Sequence, residues 1–273
     1  MPEFVERQVI HRIRMNDGNP IVIDDKNPSM YSILAGICKG EKWSFKDELL
    51  TLEIMYSYCV GGCGVVGRIP YEKKKQARIF FESVFSSLKK KNIFEFEFST
   101  EDVELRIAML DVFSDKKLDS EEEYSYRKLD KCNYSYTLPS YKILEVDRSL
   151  LEKRENYENE DMLFERLHNS WHCHEDFLKH SKCFVALQGV KIVGIIFGSA
   201  RFLNIIDVDI EVLEDHRNKG IATALTAEFV NACICNECIV QWDCVESNVI
   251  SQVIAEKCGF QLFKKRPFYW FDL

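Results

Sequence analysis

Basic charge is what this chain most plainly lacks: 36 Lys and Arg face 44 Asp and Glu, a formal net charge of −8 over 273 residues. A protein that reads a phosphate backbone needs a basic footprint to displace counterions, so no nucleic-acid partner is expected. Long apolar runs are also missing. The strongest, Ile192–Ala200, falls far short of the roughly 20 residues that span a bilayer, so no membrane partner is expected. The 11 cysteines are too sparse, and odd in number, for a secreted disulfide scaffold. The start, Met1–Arg7, carries acids where a signal peptide has a basic stretch before an apolar core. Together these absences point to a cytoplasmic protein with reduced thiols. No low-complexity tract or fixed-period repeat stands out. What remains is ordinary globular material, 46% hydrophobic and 29% charged, long enough for one large domain or two modest ones.

The best boundary lies near 137, at Thr137-Leu138-Pro139, giving an α/β (α+β) chain with domains 1–136 and 137–273. In the first, Ile21–Ile23 and Met30–Ile37 read as short strands separated by a turn over Asp24–Pro28. Leu49–Val60 is strand or helix. Pro70 opens a helix over Tyr71–Lys91, with Ala77, Phe80, Phe81, Val84, Phe85 and Leu88 on one side. Ile93–Phe98 alternates as a half-buried strand with Phe94, Phe96 and Phe98 on one face. The second half is more regular: a strand at Tyr141–Val146, helical segments over Ser149–His180, and a strand pair at Cys183–Leu187 and Lys191–Ser199. A strand at Asn204–Val212, a helix at Lys219–Cys235, a strand at Cys238–Asp243, a helix at Asn248–Cys258 and a closing strand or hairpin at Phe260–Phe271 follow. Antiparallel strands followed by β-α-β-α-β indicate a mixed sheet with flanking helices. The acid excess sits here: residues 137–273 carry 15 Lys+Arg and 21 Asp+Glu, against 21 and 23 before them.

The loop from Glu214 to Ala222 joins a strand to a helix. Gly220 and Ala222 let an anion approach the backbone, the free N–H groups and dipole of the helix start suit a pyrophosphate, and Arg217 and Lys219 add countercharge. Asp207, Asp209 and Glu211 alternate on one face of the preceding strand. Three acids on one face of a central strand call for a polar cleft, and their mutual repulsion raises at least one pKa toward the working range of a base.

Arg217-x-x-Gly220-x-Ala222 resembles motif A of the GNAT superfamily of acetyl-CoA-dependent acetyltransferases, Arg/Gln-x-x-Gly-x-Gly/Ala. Asn248-x-x-Ser251-x-x-Ile254-Ala255-x-x-x-Gly259-Phe260 is similar to the Asn-x-x-Ala-x-x-Leu-Tyr-x-x-x-Gly-Phe helix of the same superfamily, and the strand between the motifs sits where it should. More narrowly, Asp207–Glu211 with Trp242-Asp243-Cys244, Asn248 and Ser251 resembles the zwittermicin-resistance-type acetyltransferases. The resemblance covers residues 140–273 and is faint before them. It implies acetyl-CoA as co-substrate, with pantetheine entering between two splayed strands. Val212, Arg217, Asn218, Lys219, Gly220, Ile221, Ala222 and Asn248 would bind the coenzyme, a backbone N–H near Glu211 or Val212 would stabilise the oxyanion, and no metal is needed. The base is a carboxylate, in the order Asp209, Glu211, Asp207. Many members carry a Tyr four residues before the terminal Gly as the acid for the leaving thiolate. Here that residue is Ala255, so either coenzyme A leaves as a thiolate protonated by water, or another donor substitutes, Ser251 one turn earlier or, more weakly, Tyr269 or Cys244. Trp171 and Tyr269 lie in segments that border the acceptor cleft in similar folds.

Other patterns carry less. Gly62-Cys63-Gly64-Val65-Val66-Gly67 fits a dinucleotide fingerprint, but the helix it needs starts only after Pro70. Cys233-Ile234-Cys235-x-x-Cys238 and Trp171-His172-Cys173-His174 lack paired zinc spacing. Lys264-Lys265-Arg266 is either a surface cluster or a contact for the coenzyme's 3′-phosphate. The expected activity is acetyl transfer by direct attack in a ternary complex, to a primary amine of a small, cationic acceptor. Domain 1–136 would be an accessory unit shaping the acceptor side, a degenerate relative of the same fold. The alternatives are a non-catalytic acyl-CoA-binding regulatory module, or an acetyltransferase acting on protein N-termini or lysines. Nothing in the sequence separates monomer from homodimer.

Overall fold

The computed structural model describes residues 11–14, 20–23, 26–133, 138–153 and 157–273. Strands β1 (His11–Arg14) and β2 (Pro20–Ile23) form a separate two-stranded antiparallel sheet. The first half continues with α1 (Pro28–Leu34), β3 (Glu41–Lys46), β4 (Thr51–Tyr56), β5 (Cys63–Arg68), α2 (Lys74–Lys89), β6 (Glu95–Ser99), α3 (Val103–Val112) and β7 (Asp119–Lys128). The second half runs β8 (Lys142–Glu145), α4 (Arg148–Lys153), α5 (Asp161–Ser170), α6 (His174–His180), β9 (Cys183–Gln188) and β10 (Lys191–Phe202). It ends with β11 (Ile205–Val212), α7 (Ile221–Cys235), β12 (Ile239–Val245), α8 (Val249–Lys257) and β13 (Gln261–Asp272).

Most elements form where the sequence places them, with one helix in place of a strand. Met30–Ile37, expected as a strand, begins as α1, because Asn27 caps the helix by accepting the N–H of Ser29 at 2.9 Å and Pro28 presets its first turn. The cap outweighs the β-like apolar run. Leu49–Val60 resolves as β4, and Phe94 lies outside its strand and exposed, leaving Phe96 and Phe98 to the core.

A single mixed sheet of 11 strands joins both halves, in the order β3-β4-β5-β6-β13-β7-β12-β11-β10-β9-β8. Its two arms repeat one scheme. In each, two antiparallel pairings lead to a parallel one, β5 with β6 and β11 with β12. A long helix (α2 or α7) connects the parallel strands, and a shorter helix (α3 or α8) leads to a long final strand. The final strands are exchanged: β7 pairs with β12 of the second half, and β13 with β6 of the first. They also pair with each other, closing the seam. The junction at residues 136 and 137 lies outside the described residues.

Three apolar clusters hold the sheet. Phe81, Phe85, Phe96, Phe98, Phe113 and Phe271 fill the space between α2, α3 and the first arm. Leu225, Phe229, Val230 and Trp242 pack α7 on the second arm. A third cluster joins α1, α5 and α6 to β9, β10 and Met55 of β4, so α1 spans both arms. Met30 sits so close to β5 that a Cβ on Gly64 would lie 2.5 Å from its Cγ. That close approach accounts for the middle glycine of the Gly-x-Gly-x-x-Gly pattern.

At the seam Arg266 is 3% exposed, with Nη2 2.9 Å from Asp243, Nη1 3.3 Å from Glu101 and Nε bonded to Glu123. Lys264 pairs with Glu101. Lys264 and Arg266 thus face carboxylates across the seam, which corrects their reading as a surface or phosphate-binding patch, while Lys265 stays exposed over the Tyr124 ring. Removing one partner of a buried charge network typically costs about 3–5 kcal/mol. Arg266→Met is expected to lower the urea midpoint correspondingly; an unchanged midpoint would show that the network adds no stability.

Candidate active site

The parallel strands β11 and β12 pair over only Ile205, Ile206 and Asp207 with Ile239, Val240 and Gln241, and then diverge. The N–H of Leu213 goes to the carbonyl of Val193 on β10, while the carbonyl of Asn204 accepts the N–H of Ile239, leading into β12. Backbone groups alternate sides along a strand. Val208, Ile210 and Val212 therefore turn their N–H and C=O groups into the gap that β12 has left. Of the two oxyanion donors expected, the N–H of Val212 faces the gap and that of Glu211 faces β10.

The gap leads to the turn before α7. Gly220 is the N-cap at φ +81°, a left-handed conformation that favours glycine. Among the described residues the N–H groups of Asn218, Lys219, Gly220, Ile221 and Ala222 meet no protein acceptor, the arrangement that receives an anion at a helix start. Arg217 donates Nε to the carbonyl of Val212 at 3.1 Å, and Lys219 donates Nζ to that of Asp215 at 2.7 Å, so both side chains brace the loop. His216 is buried beneath it, its Nδ1 3.2 Å from the Tyr141 hydroxyl.

A cavity of about 330 Å³ opens beside the divergence. Its walls include Asp207, Asp209, Trp242, Asp243, Asn248 and Ser251, and the first half adds Asn27, Ser29, Met30, Cys59, Val60, Ser99 and Glu123. Among the described residues, four carboxylates and no basic residue line it. The three acids of β11 point to the α1–α5 side but meet different partners. Asp209 and Glu211 share Arg166 of α5, whose Nε lies 3.0 Å from Asp209 and whose Nη2 bonds Glu211. Asp207 is 4% exposed, accepts the hydroxyl of Ser29 at Oδ2, and has no partner at Oδ1. Burial, reinforced by nearby Asp243, pushes the Asp207 carboxyl well above its usual range. Asp209 is also raised by burial, with Arg166 opposing. Glu123 is raised by burial as well, against the pull of Arg266.

Ser251 lies on α8, where Asn248 caps its N–H at 3.1 Å. Its Oγ accepts the indole N–H of Trp242 at 2.8 Å, and its hydroxyl lies in hydrogen-bond reach of the Cys244 thiol. Ala255 is fully buried against the α7–β12 core. Cys59 and Cys244 line the cavity as thiols pushed up by burial, to about 12 and about 11.

The two expected substrate contacts sit elsewhere. Trp171 is 2% exposed and donates its indole N–H to the carbonyl of Gly198 at 3.1 Å, making it part of the core under β10. Tyr269 stacks on Phe98, while its neighbour Phe268 faces the cavity. A larger groove of about 790 Å³ over α5 and the turn into α6 borders Trp171 and His168 but no residue of the gap. Among the described residues no group of His, Cys, Asp or Glu is placed to hold a metal ion, and no helix is long and apolar enough to cross a membrane. Arg166 and Ser29, the main partners of the acids, carried no signal in the linear sequence, because 43 and 178 residues separate them from Asp209 and Asp207.

Comparison with known proteins agrees with this geometry. A profile of the family described as GNAT acetyltransferase matches residues 18–269, so it spans both arms of the sheet. An uncharacterized N-acetyltransferase of Bacillus subtilis (strain 168), YdfB, is 25% identical over 148 residues, 52% of this chain and 57% of that relative's length. The chain therefore matches little more than half of that relative. Among solved structures, a GCN5-related N-acetyltransferase-like protein from Streptococcus suis 89/1591 superposes with a TM-score of 0.57 at 18% identity, covering 85% of this chain and 88% of that one. A GCN5-related N-acetyltransferase from Kribbella flavida gives 0.56 at 9% identity over 89% and 93%. A tandem GNAT protein from the clavulanic acid biosynthesis pathway gives 0.51 at 11% identity over 86% and 85%. The last three share the fold. With the profile match extending over nearly the whole chain, the protein belongs to the GNAT acetyltransferase family.

Proposed function

We propose that the protein transfers an acetyl group from acetyl-CoA to a primary amine of a small cationic molecule, by direct attack within a ternary complex. The observation that carries this reading is an acid-lined cavity bordering the divergence of β11 and β12, with β11 running on in the chain to the anion-ready turn at Gly220. The coenzyme supplies an activated thioester acyl group. The N–H groups of residues 218–222 would hold its pyrophosphate, and the edge of β11 its pantetheine. Asp207, not Asp209, is the better proton acceptor. Its Oδ1 is free, whereas Asp209 and Glu211 are tied to Arg166. The N–H of Val212 faces the site where charge develops on the carbonyl oxygen. Ser251 can return a proton to the departing sulfur, because Trp242 occupies its acceptor side. Direct attack is favoured because both cysteines in the cavity stay protonated at neutral pH.

Residues 1–136 act as an accessory unit. Seven of their side chains wall the acceptor side of the cavity, and their arm repeats the pairing scheme of the second. The zwittermicin-resistance-type likeness is supported by position, since Asp207, Asp209, Trp242, Asp243, Cys244, Asn248 and Ser251 all border this one cavity. The test is thiol release from acetyl-CoA across a panel of primary amines, with coenzyme binding followed in parallel by calorimetry. Turnover with cationic amines is expected. Binding without turnover over the whole panel would instead identify a non-catalytic coenzyme-binding module.

A further inference from the structure

Four carboxylates around one small cavity exceed what the neighbouring cations balance. Arg166 serves both Asp209 and Glu211, and Arg266 serves both Asp243 and Glu123 while Lys264 takes Glu101. Each shared arginine leaves one carboxylate charge over, and among the described residues Asp207 has no salt-bridge partner. The surplus also lies on two different walls. Asp207 and Asp209 project from β11, whereas Asp243 and Glu123 project from β12 and β7. The surplus is more than an exposed acidic patch. Asp207 is 4% exposed and borders the cavity, and among the described residues its buried Oδ1 meets no hydrogen-bond donor, a costly arrangement unless a ligand supplies one. A single ammonium would satisfy Asp207 and leave the β7–β12 wall with its excess charge.

We propose that the acceptor is an aliphatic amine carrying two cationic groups, one ammonium held at Oδ1 of Asp207 and the other at the Glu123–Asp243 wall. The inference rests on the proposed acceptor site and narrows its substrate class from a cation to a dication. Beside the polar Asn27, Ser99, Ser199 and Asn248, the cavity also offers apolar surface for the carbon chain between the two charges, at Met30, Val60, Val208, Ile210 and Phe268. Buried charge pairs discriminate strongly, because a ligand lacking the second charge leaves its partner desolvated and unpaired.

The experiment is calorimetric binding of 1,4-diaminobutane and of 1-aminobutane to the full chain, each with and without coenzyme A. The diamine is expected to bind at least about tenfold more tightly, a difference of about 1.4 kcal/mol. Asp207→Asn and Glu123→Gln should each remove most of that preference, with thermal melts confirming that both variants fold. Equal affinities, no binding of either amine, or retention of the preference in both folded variants would overturn the proposal. Binding is read without acetyl transfer, so the two readings fail separately. Selective diamine binding without turnover removes the transferase, whereas turnover with no diamine preference removes the dication.

Discussion

Gly220→Glu is expected to abolish measurable coenzyme binding, raising the acetyl-CoA dissociation constant by at least about 100-fold. Two effects add. Gly220 stands at φ +81°, where a residue with a Cβ pays roughly 1–2 kcal/mol. The new carboxylate would also stand among the free N–H groups of residues 218–222, with its charge set against the pyrophosphate. Space is not the obstacle, because a Cβ there would meet only Leu138, at 3.7 Å. Gly220→Ala therefore isolates the backbone cost and should weaken binding by about 10-fold, in line with one kcal/mol or so. Calorimetry with acetyl-CoA on both variants checks the order. Equal losses would place the whole effect in the backbone, and no loss in either would remove the turn from the coenzyme site.

The turn proposed to hold the coenzyme was legible as a structural element in the sequence because its signals are local. Gly220, Arg217 and Ala222 lie within one turn, and the apolar spacing of Ile221, Leu225 and Phe229 fixes the helix that follows. The acceptor side was not legible, because long-range pairing assembles it. The alternation of Asp207, Asp209 and Glu211 placed them on one face, yet nothing near them distinguishes the two that share Arg166 from the one that meets Ser29. The exchange of β7 and β13 is likewise invisible locally, since neither strand carries an apolar alternation that would mark β6 or β12 as its partner. Lys264-Lys265-Arg266 looked like surface for the same reason. A basic triplet is bland until β13 sets Arg266 opposite Glu123. In α1 the local signal was present but competing, with an Asn-Pro cap followed by an apolar run of strand-like length. Trp171 and Tyr269 show the limit of inference from segment position. Both sit near the expected cleft in the chain, and both turn their rings into the core or onto Phe98.

Asp207→Asn should separate activity from stability, lowering kcat by about 10²–10⁴-fold, the usual worth of a positioned base, while making the protein harder to melt. The variant keeps an acceptor for the Ser29 hydroxyl and removes the carboxylate that burial and Asp243 make costly to ionise. The pH dependence follows from the same shift. In the unfolded chain Asp207 loses its proton near pH 4, whereas in the native protein it holds it to a higher pH, so the native state binds the extra proton in between. Stability drawn from this residue is present below the unfolded value and lost as pH rises toward the native one. The melting temperatures of wild type and Asp207→Asn should therefore converge near pH 4 and separate as pH rises, by roughly 2–4 °C for each kcal/mol. Asp209→Asn is the contrast. It takes one of two carboxylates from Arg166, a partly buried pair whose attraction burial already opposes, and it should slow the reaction far less. A rate that survives Asp207→Asn but collapses with Asp209→Asn would return the base to Asp209, and a melting difference that does not change with pH would show that Asp207 ionises normally in the folded protein.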